Sequence, residues 1–465
     1  MLPIFDPWLS TVVAADVASC TYLASQRLAA LRARRLAALL RAAVRDSPLY
    51  RSILRGKDLD ALRLEDLPIM SKAELMQNFD HWVADPEIRL SALRRFTAER
   101  SLIAEPFLGR YMVWESSGSS SVEPGVFVQD AAAMAVYDAL EAIRRPVLSP
   151  LRRLLDPCYL GERIAFVGAT SGHFASTVSV ERLRRLNPPL APRLQSVSFL
   201  QPLGRLMAEL KALQPTIVAT YPSAAVLLAE ERRAGRLQIA PKEIWTGGET
   251  LTPAMRGVVE QAFDCPVANG YGASEFLSLA SQCRCGALHL NSDWAILESI
   301  DDKGDPVPPG RPGASVLLTN LANHVQPIIR YDLADSVTLH ADACACGSSL
   351  PVIEVQGRRD DTLRLAGSGG RTVSVLPLAV STVLENDAGL FDFQLVQQGP
   401  SDLLLQTGRR GESAVAALRR AKTVLSDYLA QQGACAVRIH CRSGKLAEPG
   451  PSAKVRRVVA MERAI

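Results

Sequence analysis

Between residues 105 and 280, short apolar runs such as RIAFVGA, TIVATYP and EIWTGGE alternate with helical stretches such as PSAAVLLAEERRAG and TPAMRGVVEQAF. A short apolar run bounded by turn residues reads as a strand buried on both faces. A helix between two such strands returns the chain to the same sheet edge, which is how parallel strands are joined. The alternation therefore predicts α/β layering around a substantially parallel sheet.

The pattern does not continue to the end. From 295 to 356 it gives way to AILESID, ASVLLTNL and SVTLHAD, separated by Gly/Pro turns, with GDPVPPGRPGAS as a turn-dense connector. This reads as a β-rich portion. Beyond Gly357–Asp361 a second α/β segment is expected, with strands at FDFQLVQQ and DLLLQTG, a helix over 411–432 and a strand at AVRIHCR. A chain of 465 residues exceeds one ordinary core. The expected division is a large N-terminal multi-subdomain α/β domain, 1–356, and a small C-terminal α/β (α+β) mobile domain, 357–465.

Composition narrows the function classes. With 48% hydrophobic and 22% charged residues, wholesale disorder is excluded. A net charge of +4 is too small for a dedicated nucleic-acid protein of this length. PWLSTVVAADVASCTYLA is interrupted by Asp16 and lacks a basic leader, so it is read neither as a signal peptide nor as a membrane span. QRLAALRARRLAALLRAAVRD reads as a basic amphipathic helix, either packed with a solvated basic face or facing a membrane surface or acidic partner. Nine cysteines without a secretion signal suggest reduced thiols in a soluble, cytoplasmic chain.

Several stretches carry groups suited to chemistry. WESSGSSSVEPGVF (114–127) is rich in hydroxyls and backbone N–H groups that can wrap a phosphate, but it lacks the lysine of a Walker loop. WTGGE (245–249) runs a strand into Gly247-Gly248, where a flat ligand can approach the backbone because no Cβ obstructs it. In NGYGASE (269–275), Gly270 and Gly272 bracket Tyr271, and Glu275 can hold Mg²⁺. PIIRYDLAD (327–335) and GRRDD (357–361) offer carboxylates for ribose hydroxyls, with Arg358 beside them. PSAKVRRVV places Lys454 in a short extended segment. Each stretch taken singly is equally a turn, an exposed side chain or a surface lysine.

Their order along the chain, together with SPLYRSIL…LEDLPIMSKAEL near the N-terminus and CACG…GRRDDTL later, resembles the adenylate-forming (ANL) superfamily, within it the phenylacetate–CoA ligase-like branch. The likeness runs from about residue 30 to 460. It implies an AMP-forming acid–thiol ligase: a carboxylic acid, an aryl acid by likeness to this branch, reacts with ATP to give acyl-AMP and pyrophosphate, and a thiol then displaces AMP to give an acyl-CoA thioester. By resemblance, Ser117, Gly118, Ser119 and Ser120 fall in the phosphate loop. Gly248, Glu249 and Thr250 border adenine with Asn269, Gly270, Tyr271 and Gly272. Glu275 is the Mg²⁺ ligand, Asp335 the ribose anchor and Arg358 a ribose or phosphate contact. Asp360 is the hinge, and Lys454 is the adenylation lysine. His173 and Tyr221 are polar candidates for the acid pocket.

Cys283, His289, Cys344 and Cys346 form a C-x₅-H…C-x-C set suited to a closed tetrahedral Zn²⁺ site, with Cys285 as an alternate ligand and free thiols as the alternative to metal. The resemblance implies the same structural zinc. The acceptor is coenzyme A, whose phosphates call for cations, or the phosphopantetheine of an acyl carrier protein, whose acidic helix calls for a basic surface; Arg144, Arg145, Arg152 and Arg153 suit either or are simply solvated. Carrier-protein loading in a biosynthetic pathway is thus the first alternative. The second, a degenerate nucleotide-binding member, draws on the serine loop: S-S-G-S-S-S-V-E-P replaces the family's S-S-G-T-T-G-x-P, with an added residue and Glu123 where phosphates approach. Ala453 also stands where glycine is common before the lysine.

Overall fold

The computed structural model describes residues 4–59, 61–116, 124–145, 155–156, 159–301, 303–356, 362–367, 371–390, 393–434, 437–444 and 457–460. The N-terminal apolar and basic stretches form two helices, α1 (Pro7–Cys20) and α2 (Ser25–Asp46). Asp6 caps α1 by accepting from the Leu9 N–H, and Pro7 fills a first-turn position whose missing donor is not needed. LPIMSKAEL ends in a helix over Lys72–Gln77, started by a reciprocal capping box between Ser71 and Glu74.

A nine-stranded sheet forms the centre. From edge to edge it runs Ser336–His340, Val352–Gln356, Leu288–Leu290, Phe276–Gln282, Val267–Ala273, Glu243–Thr246, Ile217–Thr220, Ile164–Gly168 and Leu194–Ser198. The last five, spanning 164–273, are mutually parallel. In chain order they lie 2-1-3-4-5, the doubly wound arrangement, with helices Ala175–Leu186, Leu203–Leu213, Pro222–Arg233 and Pro253–Phe263 as crossovers. The remaining four strands are antiparallel to their neighbours.

The apolar runs behave as expected of strands covered on both sides: all five residues of Ile164–Gly168 are buried. The β-rich portion divides. Ala295–Ile300, Ser315–Asn320 and Tyr331–Asp332 form a separate three-stranded sheet, whereas Ser336–His340 and Val352–Gln356 join the central one. After residue 357, the described strands pair only with one another. Leu363–Ala366 pairs with Thr372–Val375, and a four-stranded sheet runs Arg438–Ser443, Asp402–Thr407, Gln394–Gly399, Val458–Val459. A helix over Glu412–Gln431 makes the crossover between its parallel strands Asp402–Thr407 and Arg438–Ser443. Among the described residues no helix is long and apolar enough to cross a membrane.

Candidate active site

Parallel strands joined by crossover helices bring their carboxyl-terminal ends to one edge, and ligands of open α/β sheets bind there. The loops at that edge are ATSGHF after Gly168, YPS after Thr220, GGET after Thr246, and the hairpin tip GYGASE in the strand from Val267. All four carry candidate residues read from the sequence: His173, Tyr221, the 248–250 triplet and the 270–275 tip.

Gly248 adopts φ +77°, and an added Cβ there would lie 2.8 Å from the Tyr221 ring. The ring of Tyr221 is edge-on to Phe199 at 5.7 Å. Its hydroxyl is paired with Ser176, and burial raises its pKa. Glu249 is not idle: its carboxylate accepts from the Ser223 N–H at 2.9 Å and the Ser223 hydroxyl at 3.0 Å, capping the helix that begins at Pro222. Thr250 lies next to it, with its hydroxyl oxygen buried. Asn269 is held from both sides, since its N–H donates to Gln282 and its side-chain oxygen accepts from Thr246. Gly270 and Gly272 sit in the hairpin that pairs with Phe276–Gln282.

The hairpin tip meets the three-stranded sheet. Tyr271 donates its hydroxyl to Asp335 at 2.9 Å, and burial with the Asp335 charge holds the phenol well above its usual pKa. Asp335 follows Ala334, a residue forced to φ +54°. Glu275 is 8% exposed. Burial raises its pKa, an effect opposed by the Tyr331 hydroxyl, which donates to the carboxylate, and by the Lys72 charge. The backbone beside it is fixed too: Trp114 donates its indole N–H to the Ser274 carbonyl at 2.7 Å, and Asn320 donates to the Glu275 carbonyl at 2.9 Å.

Lys72 was not singled out by sequence reasoning. Met70 runs alongside Tyr331, its N–H donating to the Arg330 carbonyl and its carbonyl accepting from the Asp332 N–H, both at 2.9 Å. That stitching brings Lys72, two residues on, within electrostatic reach of Glu275, whose pKa its charge lowers. The same side chain lies 3.3 Å from the position of a Cβ on Gly125, at the exit of the serine loop. The loop's two ends are closed on each other by Ser116 N–H to Gly125 O and Gly125 N–H to the Ser116 hydroxyl, both 2.8 Å. The signal available was LPIMSKAEL itself, a capped helix start with a lysine in its first turn.

Ser117, Gly118, Ser119, Ser120, Arg358, Asp360 and Lys454 lie outside the described residues. His173 is 1% exposed. Its Nε2 faces the Glu99 carbonyl at 3.0 Å and its ring rests against Phe96. Arg144, read from the sequence as a cation for acceptor phosphates, is instead buried in a bidentate pair with Asp293 at 2.6 and 2.8 Å. Arg145 lies over the Trp245 ring at 4.2 Å and pairs with Glu141. Arg152 and Arg153 lie outside the described residues.

The cysteine–histidine set comes together beyond the far end of the hairpin. The ligand atoms of Cys283, His289, Cys344 and Cys346 all lie within 4.8 Å of one another. Cys283 Sγ is 3.8 Å from Cys344 Sγ, and Cys346 Sγ is 3.4 Å from His289 Nε2. A tetrahedron with ligands about 2.3 Å from its centre has edges of about 3.8 Å, so these separations fit four-coordinate zinc. His289 Nδ1 donates to the Leu350 carbonyl at 2.7 Å, which leaves the Nε2 lone pair directed at the sulfurs. The Cys344 thiol is pushed down to about 6, chiefly by the Cys346 N–H and then by His289. Cys285 is exposed and stands outside the four.

No family model matches the chain. Over 183 residues it is 32% identical to the phenylacetate-coenzyme A ligase of Thermus thermophilus, covering 37% of this chain and 39% of that protein. Over 171 residues it is 28% identical to protein CapK of Staphylococcus aureus, covering 36% of each. The alignments thus span well under half of these relatives. The backbone superposes on 2-hydroxyisobutyryl-CoA ligase, in complex with 2-HIB-AMP and CoA in the thioesterification state, with a TM-score of 0.58. That match has 20% identity and covers 95% of this chain and 91% of that one. The same ligase in the postadenylation state gives 0.55. The fold is that of this CoA ligase. The Tyr271–Asp335 hydrogen bond, Glu275 and the charge of Lys72 come together around the hairpin tip at the strand edge described above.

Proposed function

We propose that this protein is an ATP-dependent acid–CoA ligase. The observation that carries the reading is the convergence, at one strand edge, of the Tyr271–Asp335 pair, buried Glu275, Lys72 and the base of the serine loop. In the first half-reaction a carboxylate oxygen of the acid attacks the α-phosphorus of ATP, and the bond to the pyrophosphate oxygen breaks. In the second, a thiolate attacks the acyl carbon of acyl-AMP, the carbon–oxygen bond breaks and AMP leaves.

The chain's own residues act by position and charge. Asp335 accepts from ribose hydroxyls and is held by Tyr271. Gly248, Glu249 and Thr250, with Asn269, Gly270, Tyr271 and Gly272, border the adenine. Gly118 and the serines Ser117, Ser119 and Ser120 wrap the phosphate chain, and Lys72 adds a fixed cation beside it. Arg358 contacts the ribose or a phosphate. Lys454 enters during adenylation as the small domain (357–465) turns about Asp360. Glu275, a buried hard-oxygen donor, would hold Mg²⁺, which when bound shields the phosphate charge.

Cys283, His289, Cys344 and Cys346 would hold Zn²⁺. Four protein ligands leave no open position, so its contribution is local stability. The acid is read as an aryl acid, from the similarity to phenylacetate-coenzyme A ligase and from the Tyr221–Phe199 ring pair beside Gly248. Coenzyme A is the acceptor by similarity to the CoA-bound ligase.

The test is acid-dependent ATP–pyrophosphate exchange across aryl and fatty acids without a thiol, followed by acceptor assays with coenzyme A and with a holo carrier protein. Exchange with aryl acids, lost in Lys454→Ala, is the expected result. Folded protein that exchanges with no acid would sink the proposal. Transfer to the carrier protein alone would overturn the assignment of the acceptor.

A further inference from the structure

The metal loop and the N-terminal helices touch. Two serines follow Cys346 after Gly347, and both hydroxyls leave the metal cluster for the turn between α1 and α2. Ser348 donates to the Thr21 carbonyl at 3.2 Å, and Ser349 donates to the Leu23 carbonyl. These are orphan carbonyls at a helix end, which need an outside partner. The neighbouring ones are already served, since Ala18 O accepts from the Thr21 N–H and Cys20 O from the Leu23 N–H. Ser348 is tied equally to the cluster, because its N–H points at Cys346 Sγ (3.5 Å) and its hydroxyl accepts from the Leu350 N–H (3.2 Å). Leu350 in turn receives the His289 Nδ1 proton. One short loop therefore joins two metal-ligand candidates to the end of α1.

We infer that metal bound by Cys283, His289, Cys344 and Cys346 latches the α1–α2 turn to the body of the protein through the Ser348 and Ser349 hydroxyls. This rests on the zinc assignment above. Loss of metal frees the 344–350 loop, both serines lose their fixed direction, and the turn is released. The body of α1 has a separate anchor that does not involve the metal: Arg144 donates to the Val17 carbonyl at 3.2 Å and pairs with Asp293, while Arg35 pairs with Asp16 and lies 3.5 Å over the Trp294 ring. The released segment is thus bounded to the turn between the buried residues Val17 and Leu28, within peptides covering 17–28, rather than the whole N-terminus.

The experiment is hydrogen–deuterium exchange of the full chain with zinc content measured alongside. Three samples are compared: zinc-loaded, chelator-treated, and the Ser348→Ala/Ser349→Ala double variant loaded with zinc. Chelation is expected to speed exchange in peptides covering 17–28 by about tenfold, the scale of losing two hydrogen bonds, together with peptides 283–289 and 344–350. The double variant keeps all four ligands. It should bind zinc and protect the two metal loops, yet show fast exchange at 17–28 that chelation no longer changes. If chelation frees the metal loops and leaves 17–28 protected, the latch is wrong and the zinc assignment stands. If the protein holds no zinc and added Zn²⁺ protects neither metal loop, both fall.

Discussion

Gly272 is the position where one methyl group should separate fold from activity. A Cβ on it would sit 1.8 Å from the Leu277 carbonyl oxygen and 2.9 Å from the Leu277 carbonyl carbon. Both are backbone atoms, so no side chain can turn aside, and the two arms of the hairpin must part by more than ~1 Å. The arm carrying Leu277 cannot be the one that moves. Phe276 and Leu279 are fully buried, and Phe276 is edge-on to Tyr137 at 5.0 Å. Displacement therefore passes to the 271–275 tip, which carries Tyr271 and Glu275 (one site group at each end). A misplacement of ~1 Å at reacting groups costs on the order of 100-fold in rate, whereas overpacking strain of this kind costs about 1–3 kcal/mol. Gly272→Ala should thus lower ATP–pyrophosphate exchange roughly 100-fold while melting only a few degrees lower. Gly257→Ala is the control: it lies in the helix Pro253–Phe263, and its added Cβ meets nothing within 4 Å. It should leave exchange unchanged and stabilise by about 0.5–1 kcal/mol. Exchange by Gly272→Ala within threefold of wild type would refute the claim that the hairpin tip sets the catalytic geometry.

Three further outcomes are expected. Asp293→Ala leaves Arg144 buried without its partner, so chemical denaturation should show a loss of about 3–5 kcal/mol, while Asp402→Ala at the exposed Arg438 pair should cost under about 1 kcal/mol. Glu275 has a raised pKa in the folded chain, so the folded state holds its proton more tightly than the unfolded one. Its ionisation therefore lowers stability as pH rises from the unfolded pKa through the folded one. Without nucleotide, Glu275→Gln should accordingly melt above wild type at pH 8 and converge on it at pH 4, and Mg²⁺ affinity of the wild type should weaken on acidification at a higher pH than for an ordinary glutamate. Cys344→Ser should bring zinc, measured by metal analysis of purified protein, from about one per chain to well under that; unchanged zinc would contradict the ligand set.

What the sequence made legible follows from how local each signal is. The parallel half of the sheet could be read because strands covered on both faces must be apolar throughout, as Ile164–Gly168 is. The cysteine–histidine set could be read because metal ligands are few and chemically distinctive. Choosing between Cys283 and Cys285 was harder, since it depends on a turn: Cys283 donates to Ala287 O and receives the Gly286 N–H, with Gly286 at φ +86°, which directs Cys283 inward and leaves Cys285 exposed. Arg144 was misread for a related reason. Nothing local distinguishes a solvated arginine from one whose carboxylate lies 149 residues away.

Lys72 shows where order along the chain stops being informative. Right-handed crossovers place the carboxyl ends of parallel strands at a common edge, so residues directly after Gly168, Thr220, Thr246 and in the strand from Val267 must be neighbours whatever lies between them. For Gly248, Asn269 and Tyr271, then, motif order is already spatial order. Lys72 and Asp335 follow no strand of that parallel set. They reach Glu275 and Tyr271 only because Met70 is stitched to Tyr331 and because the backbone at Ala334 is left-handed. The parallel sheet supplies the platform, and these two residues, placed by tertiary contacts, supply a cation and a carboxylate that both act on Glu275. Weakening the Met70–Tyr331 stitching should therefore impair the site without disturbing the sheet.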